Sequence, residues 1–237
     1  MGAVIMNLET VFQDLDGVRV IPYDLNREKL VIFDFTRNNQ ELMNLDISDP
    51  RVFSRYISEK LEKNRSRVGI GRYDENRTIY DRSDIFDSPG NAHGQRRTLH
   101  IGLDLWVKEG TPVLAALDGV VHSFQDNTPL GDYGPTIILE HVQGEVRFYT
   151  LYGHLNRDCL KVLVKGESIM SGQEIGLVGG IEENGQWPPH LHFEIIKDLK
   201  GQQGDFPGVC SKADREEYLR ICPDPNLLLK IQALETP

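Results

Sequence analysis

Two widely separated stretches of this chain carry the side chains that could do chemistry: Thr98-Leu-His-Ile-Gly-Leu-Asp104 and Pro189-His-Leu-His-Phe-Glu-Ile195. They supply His100, Asp104, His190 and His192, and His154 lies between them in Thr150-Leu-Tyr-Gly-His-Leu155. Three imidazole or carboxylate ligands with a further position left to water are what a catalytic zinc ion needs. A His–Asp pair plus one more histidine makes a cage with a single negative charge, which leaves the cation electrophilic. Leu191 to Ile196 is apolar-rich, so it reads as a strand. Residues two apart in a strand share a face, which aims His190 and His192 into one site. One of them can hold the cation while the other, about 7 Å along the face, reaches water or substrate. Glu194 is expected to alternate away from both and to be a weak catalytic candidate. Gly102, between His100 and Asp104, permits a tight approach of backbone.

The segments around these clusters read as a strand-rich scaffold. Thr111 to Val121 has Asp118-Gly119 between two apolar runs, a strand–turn–strand signature. Thr136 to Glu140 and Glu145 to Tyr152 flank Gln143-Gly144, a second hairpin signature, and the latter run alternates between two faces. Lys161 to Val164 and Ile175 to Val178 continue the rhythm of short strands. Repeated strands with glycine turns favour an antiparallel sheet over strand–helix–strand units.

In this order, His-x-Gly-x-Asp, Leu-Tyr-Gly-His-Leu and Pro-His-Leu-His-Phe-Glu-Ile resemble the lysostaphin/LytM-type zinc endopeptidases, over roughly Arg96 to Lys197. The resemblance implies a mainly β fold, an antiparallel sheet of the duplicated hybrid-motif type, that cuts peptide bridges or stems such as those of bacterial cell walls. It assigns zinc to His100, Asp104 and His192. It makes His154 and His190 the catalytic pair that polarises water and stabilises the oxyanion. A neutral histidine is the side chain whose ordinary pKa suits that task near pH 7. A His-Glu-x-x-His helix is absent, so no glutamate base is expected by that route. His93, His122 and His141 stay unassigned, with His141 a candidate to support the site from behind; Tyr149 and Tyr152 read as core rather than substrate contacts.

Three regions are expected: an α/β extension (1–85), the zinc peptidase-like β domain (86–203) and a helical tail (204–237). In the extension, Val18 to Ile21 and Lys29 to Phe35 read as strands. Asp49-Pro50 opens a helix with Val52, Phe53, Tyr56, Ile57 and Leu61 along one face. Arg72, Asp74, Glu75 and Arg77 follow; they either line the cleft or an interface or, more ordinarily, form a solvated loop. Ser88 to Gly94 reads as a flexible join, from which Asn91 or His93 could reach a metal and make the site latent. The tail offers a helix over Lys212 to Ile221 and a short apolar segment after Pro225. The flanking sequences are also similar to a peptidase-like segment inside long bacterial aminotransferase fusion proteins, which implies a functional link to aminotransferase- and kinase-like proteins.

The net charge of -10 over 237 residues argues against nucleic-acid phosphate as a partner. No apolar run approaches the ~20 residues that cross a bilayer. The first residues lack the basic and apolar regions of a secretory signal, so a cytoplasmic address is expected, or a secreted one if a leader is missing. Cys159, Cys210 and Cys222, with no Cys-x-x-Cys spacing, read as reduced, buried thiols. The chemistry thus points to a zinc-dependent peptide hydrolase, with peptidoglycan-derived peptides as one candidate substrate. The competing reading is a non-catalytic or latent metal-binding module that serves in binding or regulation.

Overall fold

Alternating apolar and polar residues drive the chain into strands, and a computed structural model describes residues 8–87 and 96–235. The first part contains helix α1 (Leu8–Gln13), strand β1 (Leu30–Phe33), and helices α2 (Gln40–Met43) and α3 (Pro50–Asn64). Strands β2 (Val68–Gly71) and β3 (Glu75–Asn76) follow. The middle part contains β4 (Arg97–His100), β5 (Leu103–Trp106), β6 (Pro112–Leu114), β7 (Gly119–Asn127), β8 (Gly134–Gln143) and β9 (Val146–Gly153). After them come β10 (Ser168–Ile169), β11 (Glu174–Leu177) and β12 (His190–Ile196). The chain closes with β13 (Val209–Ser211) and helices α4 (Arg215–Ile221) and α5 (Asn226–Leu229).

Eight strands form the main sheet in the order β1-β2-β5-β12-β9-β8-β7-β10. Only its β1–β2 pair is parallel; every other neighbour is antiparallel, as the short glycine-linked strands require. The β8–β9 hairpin turns at Gly144, whose φ of +62° suits a residue without a side chain. A three-stranded sheet, β13-β4-β3, holds His100 at the end of β4. β6 pairs with β11 and β7 with β8, so the two runs around Asp118-Gly119 belong to different sheets.

The N-terminal strands extend the main sheet directly, β2 pairing with β5 so that Gly71 lies opposite Asp104. Asp49 caps α3 by accepting from the Arg51 N–H, and Pro50 occupies the first turn. The helix lays Phe53, Tyr56 and Ile57 against Phe33, Phe35 and Trp106, an aromatic cluster behind the site. Burial of each such side chain contributes roughly 1.5–3 kcal/mol. The larger core takes the odd-numbered residues of the two central strands: Leu103 and Leu105 from β5, Leu191, Phe193 and Ile195 from β12.

Two expected strands do not form. Val18 to Ile21 is irregular: Val20 and Ile21 are buried, but the Val20 carbonyl meets only the Leu114 N–H and no ladder develops. Lys161 to Val164 ends a 3-10 turn (Arg157–Lys161) and leaves Val162 and Val164 exposed, an apolar run without a strand partner. The helical tail forms as α4 and α5. Among the described residues no helix is long and apolar enough to cross a membrane.

Candidate metal centre and active site

The site forms on the face of β5 and β12 that the core does not take. In their antiparallel register Asp104 stands opposite His192 and Trp106 opposite His190. His100 arrives from the other sheet, and Ile101-Gly102 carries the chain across in two residues. A Cβ on Gly102 would lie 2.4 Å from His192 Cε1 and 2.9 Å from the Phe193 carbonyl oxygen, so only glycine allows this crossing. His154 follows the last residue of β9, whose Gly153 lies opposite His192.

Three atoms able to ligate a metal converge. His100 Nε2 is 3.0 Å from His192 Nδ1 and 3.2 Å from Asp104 Oδ1, and His192 Nδ1 is 3.1 Å from Asp104 Oδ1. Ligands about 2.0–2.1 Å from a tetrahedral ion lie about 3.3–3.4 Å apart, so this triangle fits one such cation with little adjustment. All three residues are buried. His100 Nδ1 sits 2.9 Å from the Arg72 carbonyl, to which it donates, leaving the Nε2 lone pair free. On the far side of His192, Nε2 is 3.4 Å from Tyr133 Oη and 3.5 Å from Glu194 Oε2, which turns Nδ1 inward.

His154 and His190 complete the group. Their ring centroids are 4.1 Å apart, and His190 Nε2 is 3.8 Å from Asp104 Oδ1. Each fixes its Nδ1 on a backbone carbonyl: His190 on Pro188 at 2.8 Å and His154 on Asn184 at 3.0 Å. Trp106 stacks on the His190 ring at 4.1 Å. The His154 backbone has φ +64°, a conformation that costs a non-glycine residue energy and recurs at functional positions. It is held by its N–H on the Tyr133 carbonyl and its carbonyl on the Gly179 N–H.

Burial sets the protonation states. It takes His190 down to about 4 and, with Arg77 adding to it, His100 to about 3. Burial and the other two imidazoles hold His154 well below its usual value. Burial raises Asp104, but His100 and Arg77 outweigh it and keep the carboxyl well below the ordinary range. Burial also lowers His192, yet the hydrogen bonds to Asp104 and Glu194 prevail and raise it, so a metal ion bound here would displace a proton from this ring. Neutral imidazoles and an ionised carboxylate are the forms that ligate metal.

Two expectations are corrected. Glu194 does not alternate away: it lies two residues beyond His192, on the same face, fully buried behind the ring. A strict count of two along β12 would have placed it there. The charged turn is not a solvated loop. Arg77 and Glu75 are buried, and Arg77 Nη1 donates to Asp104 Oδ2 at 2.5 Å. No periodicity announced this, because the turn reaches the site by β2–β5 pairing rather than by its own pattern. Asp74 instead pairs with Arg215 near the surface.

His122 and His141 lie elsewhere: His122 contacts Ser123, and His141 bridges the Asp118 carbonyl and Thr150 Oγ1 in the core. Tyr152 is core, its hydroxyl accepting from the Ala116 N–H, and the three cysteines are free and buried. Asn91 and His93, the candidates for a latent fourth ligand, lie outside the described residues.

A cavity of about 280 Å³ opens over the five residues, lined also by Tyr80, Phe86 and Trp187 and by Arg97, Asp132 and Asp205. Burial pushes the Asp132 carboxyl up to about 6, with Asp205 adding to the effect. An acid whose folded value exceeds its unfolded one costs stability once both forms ionise, so stability falls as pH rises from about 4 to about 6. The difference from 3.8 to about 6 is worth up to about 3 kcal/mol, less for the part that water screens. Asp132→Asn is therefore expected to raise the melting temperature at pH 7 and to flatten its pH dependence between pH 4 and 6. Thermal melts across that range check this; an unchanged slope contradicts it.

Residues 98–205 match the model of peptidase family M23. An uncharacterized metalloprotease of Haemophilus influenzae is 34% identical over 141 residues, 55% of this chain and 27% of that protein. The peptidoglycan DD-endopeptidase ShyC of Vibrio cholerae is 36% identical over 97 residues, 41% of this chain and 20% of that protein. The catalytic domain of lysostaphin from Staphylococcus simulans is a structural neighbour at 23% identity and a TM-score of 0.40, covering 60% of this chain and 85% of that one. The chain spans about a quarter or less of the length of these two curated relatives. The aminotransferase-fusion resemblance of the flanks finds no counterpart among these relatives. The matched residues carry all five side chains of the site and most of the strands that present them, so the chain is similar to peptidase family M23 over residues 98–205.

Proposed function

We propose that the chain is a zinc-dependent hydrolase of peptide bonds, with His100, Asp104 and His192 as zinc ligands and His154 and His190 as the catalytic pair. The observation that carries this reading is the triangle of ligand atoms, 3.0–3.2 Å on a side, with two further imidazoles beside it. When bound, zinc supplies Lewis-acid polarisation and lowers the pKa of water from ~15.7 toward ~7.

The chain's own groups do the rest. His154 and His190 each commit Nδ1–H to a carbonyl, so each neutral ring presents Nε2 as a proton acceptor. One Nε2 takes the proton of the attacking water; the resulting imidazolium can hold the developing oxyanion and pass the proton to the leaving amine. Trp106 stacks on the His190 ring and fixes its plane, and Tyr80, Phe86 and Trp187 give the cavity an apolar lining. A non-catalytic module explains the pair less well, since a structural zinc site uses four protein ligands and needs no acceptor histidines beside it.

The name of the Vibrio relative makes peptidoglycan-derived peptides the first substrates to test. The purified chain, incubated with D-Ala-containing and glycine-rich peptides and followed by mass spectrometry, is expected to cleave at an amide bond. A chelator should abolish cleavage and stoichiometric zinc restore it. A chain with one bound zinc that cleaves no member of the pool contradicts the proposal.

A further inference from the structure

Part of the site's support comes from outside the matched domain. Arg77 follows β3, and its side chain is 1% exposed. Its guanidinium makes four hydrogen bonds: Nη1 donates to Asp104 Oδ2 at 2.5 Å and to Tyr80 Oη at 3.3 Å, Nε to Glu75 Oε2 at 2.8 Å, and Nη2 to the Arg72 carbonyl at 3.0 Å. That same carbonyl accepts from His100 Nδ1. One cation and one carbonyl therefore touch two of the three candidate ligands. Gly71, opposite Asp104, makes room for this, since a Cβ there would lie 2.7 Å from Arg77 Nη2 and 3.1 Å from Asp104 Oδ2.

A carboxylate can ligate a cation through one oxygen or both. With Oδ2 taken by Arg77, Asp104 turns only Oδ1 toward His100 Nε2 and His192 Nδ1. We infer that Arg77 is a positioning residue of the metal centre, which holds Asp104 in a one-oxygen binding mode and, through the Arg72 carbonyl, fixes the ring of His100. The inference rests on the zinc reading above and extends it: the N-terminal segment is part of the site rather than an appendage. Arginine suits the task because its planar fork serves two carboxylates and a carbonyl at once, which the single point charge of lysine cannot. Glu75, against Nε, is the second buried carboxylate on this single cation.

Two variants of the whole chain test this. Arg77→Lys keeps the charge and loses the fork; the double variant Glu75→Gln with Arg77→Met removes one positive and one negative charge together, leaving Asp104 with its two histidine contacts. Zinc affinity is measured by chelator competition, the ligand field by the visible spectrum of the cobalt form, and folding by circular dichroism. Both folded variants are expected to bind zinc about 10–100-fold more weakly, with a shifted cobalt band. A merely structural arginine would lower the melting temperature and leave both readouts in place, and that result overturns the inference. Should neither variant fold, a zinc-loaded crystal structure of the unaltered chain decides: Asp104 bound through Oδ1 with Oδ2 on Arg77 supports it, two-oxygen binding or a displaced Arg77 overturns it. An unaltered chain that binds no zinc overturns the zinc reading itself, and this inference with it.

Discussion

Replacing His190 by alanine is expected to lower kcat/KM for peptide cleavage by about 10²–10⁴-fold while the chain keeps its zinc. His190 Nε2 stands 3.8 Å from Asp104 Oδ1, beside the ligand triangle but not a corner of it, so its loss removes a proton acceptor and no ligand. His154→Ala should behave in the same way, because both rings present Nε2 to the same space and both fix Nδ1 on a carbonyl. The pair acts on one proton, so the double variant should cost little more than the worse single one. Rates on the cleaved peptide, together with zinc content per chain, check this. A His190→Ala protein that retains normal kcat/KM removes the ring from the mechanism; one that loses its zinc makes it a ligand instead.

His192→Ala should fail differently, losing metal and activity together. Structural zinc sites with four ligands bind with about 10–16 kcal/mol, so one ligand is worth about a quarter to a third of that, or roughly 10²–10⁴ in affinity. The ring also separates Asp104 from Glu194, which approach it from opposite sides. Without it, two buried carboxyls lose the partner they share, and the protein without metal should also melt at lower temperature. Equilibrium dialysis against zinc separates this outcome from that of His190→Ala. Unchanged zinc binding by His192→Ala would contradict the ligand assignment.

The geometry behind this expected contrast was legible in the sequence, because it followed local spacing. A period of two put His190 and His192 on one face, and the structure aligns His192 with Asp104 across β5 and β12. The glycine between His100 and Asp104 also announced its use, as the contacts at Gly102 show. The same period applied to Glu194 would have put it behind His192, where its buried carboxyl lies. What local pattern could not decide was Arg77, left open between the cleft and a solvated loop. Its place depends on β2 joining β5 in the main sheet, a pairing between residues more than thirty positions apart with no local pattern to mark it. The strands expected at Val18 and Lys161 failed for a related reason: apolar content predicts burial or pairing, and only a partner strand turns it into a ladder.

Diffraction from crystals of the zinc-loaded chain, recorded on both sides of the zinc absorption edge, addresses the account at its root. It predicts one anomalous peak about 2.0–2.2 Å from His100 Nε2, Asp104 Oδ1 and His192 Nδ1, with the Nε2 atoms of His154 and His190 unligated and facing the remaining coordination position. A peak elsewhere, or one coordinated by His154 or His190 in place of these three, would contradict it.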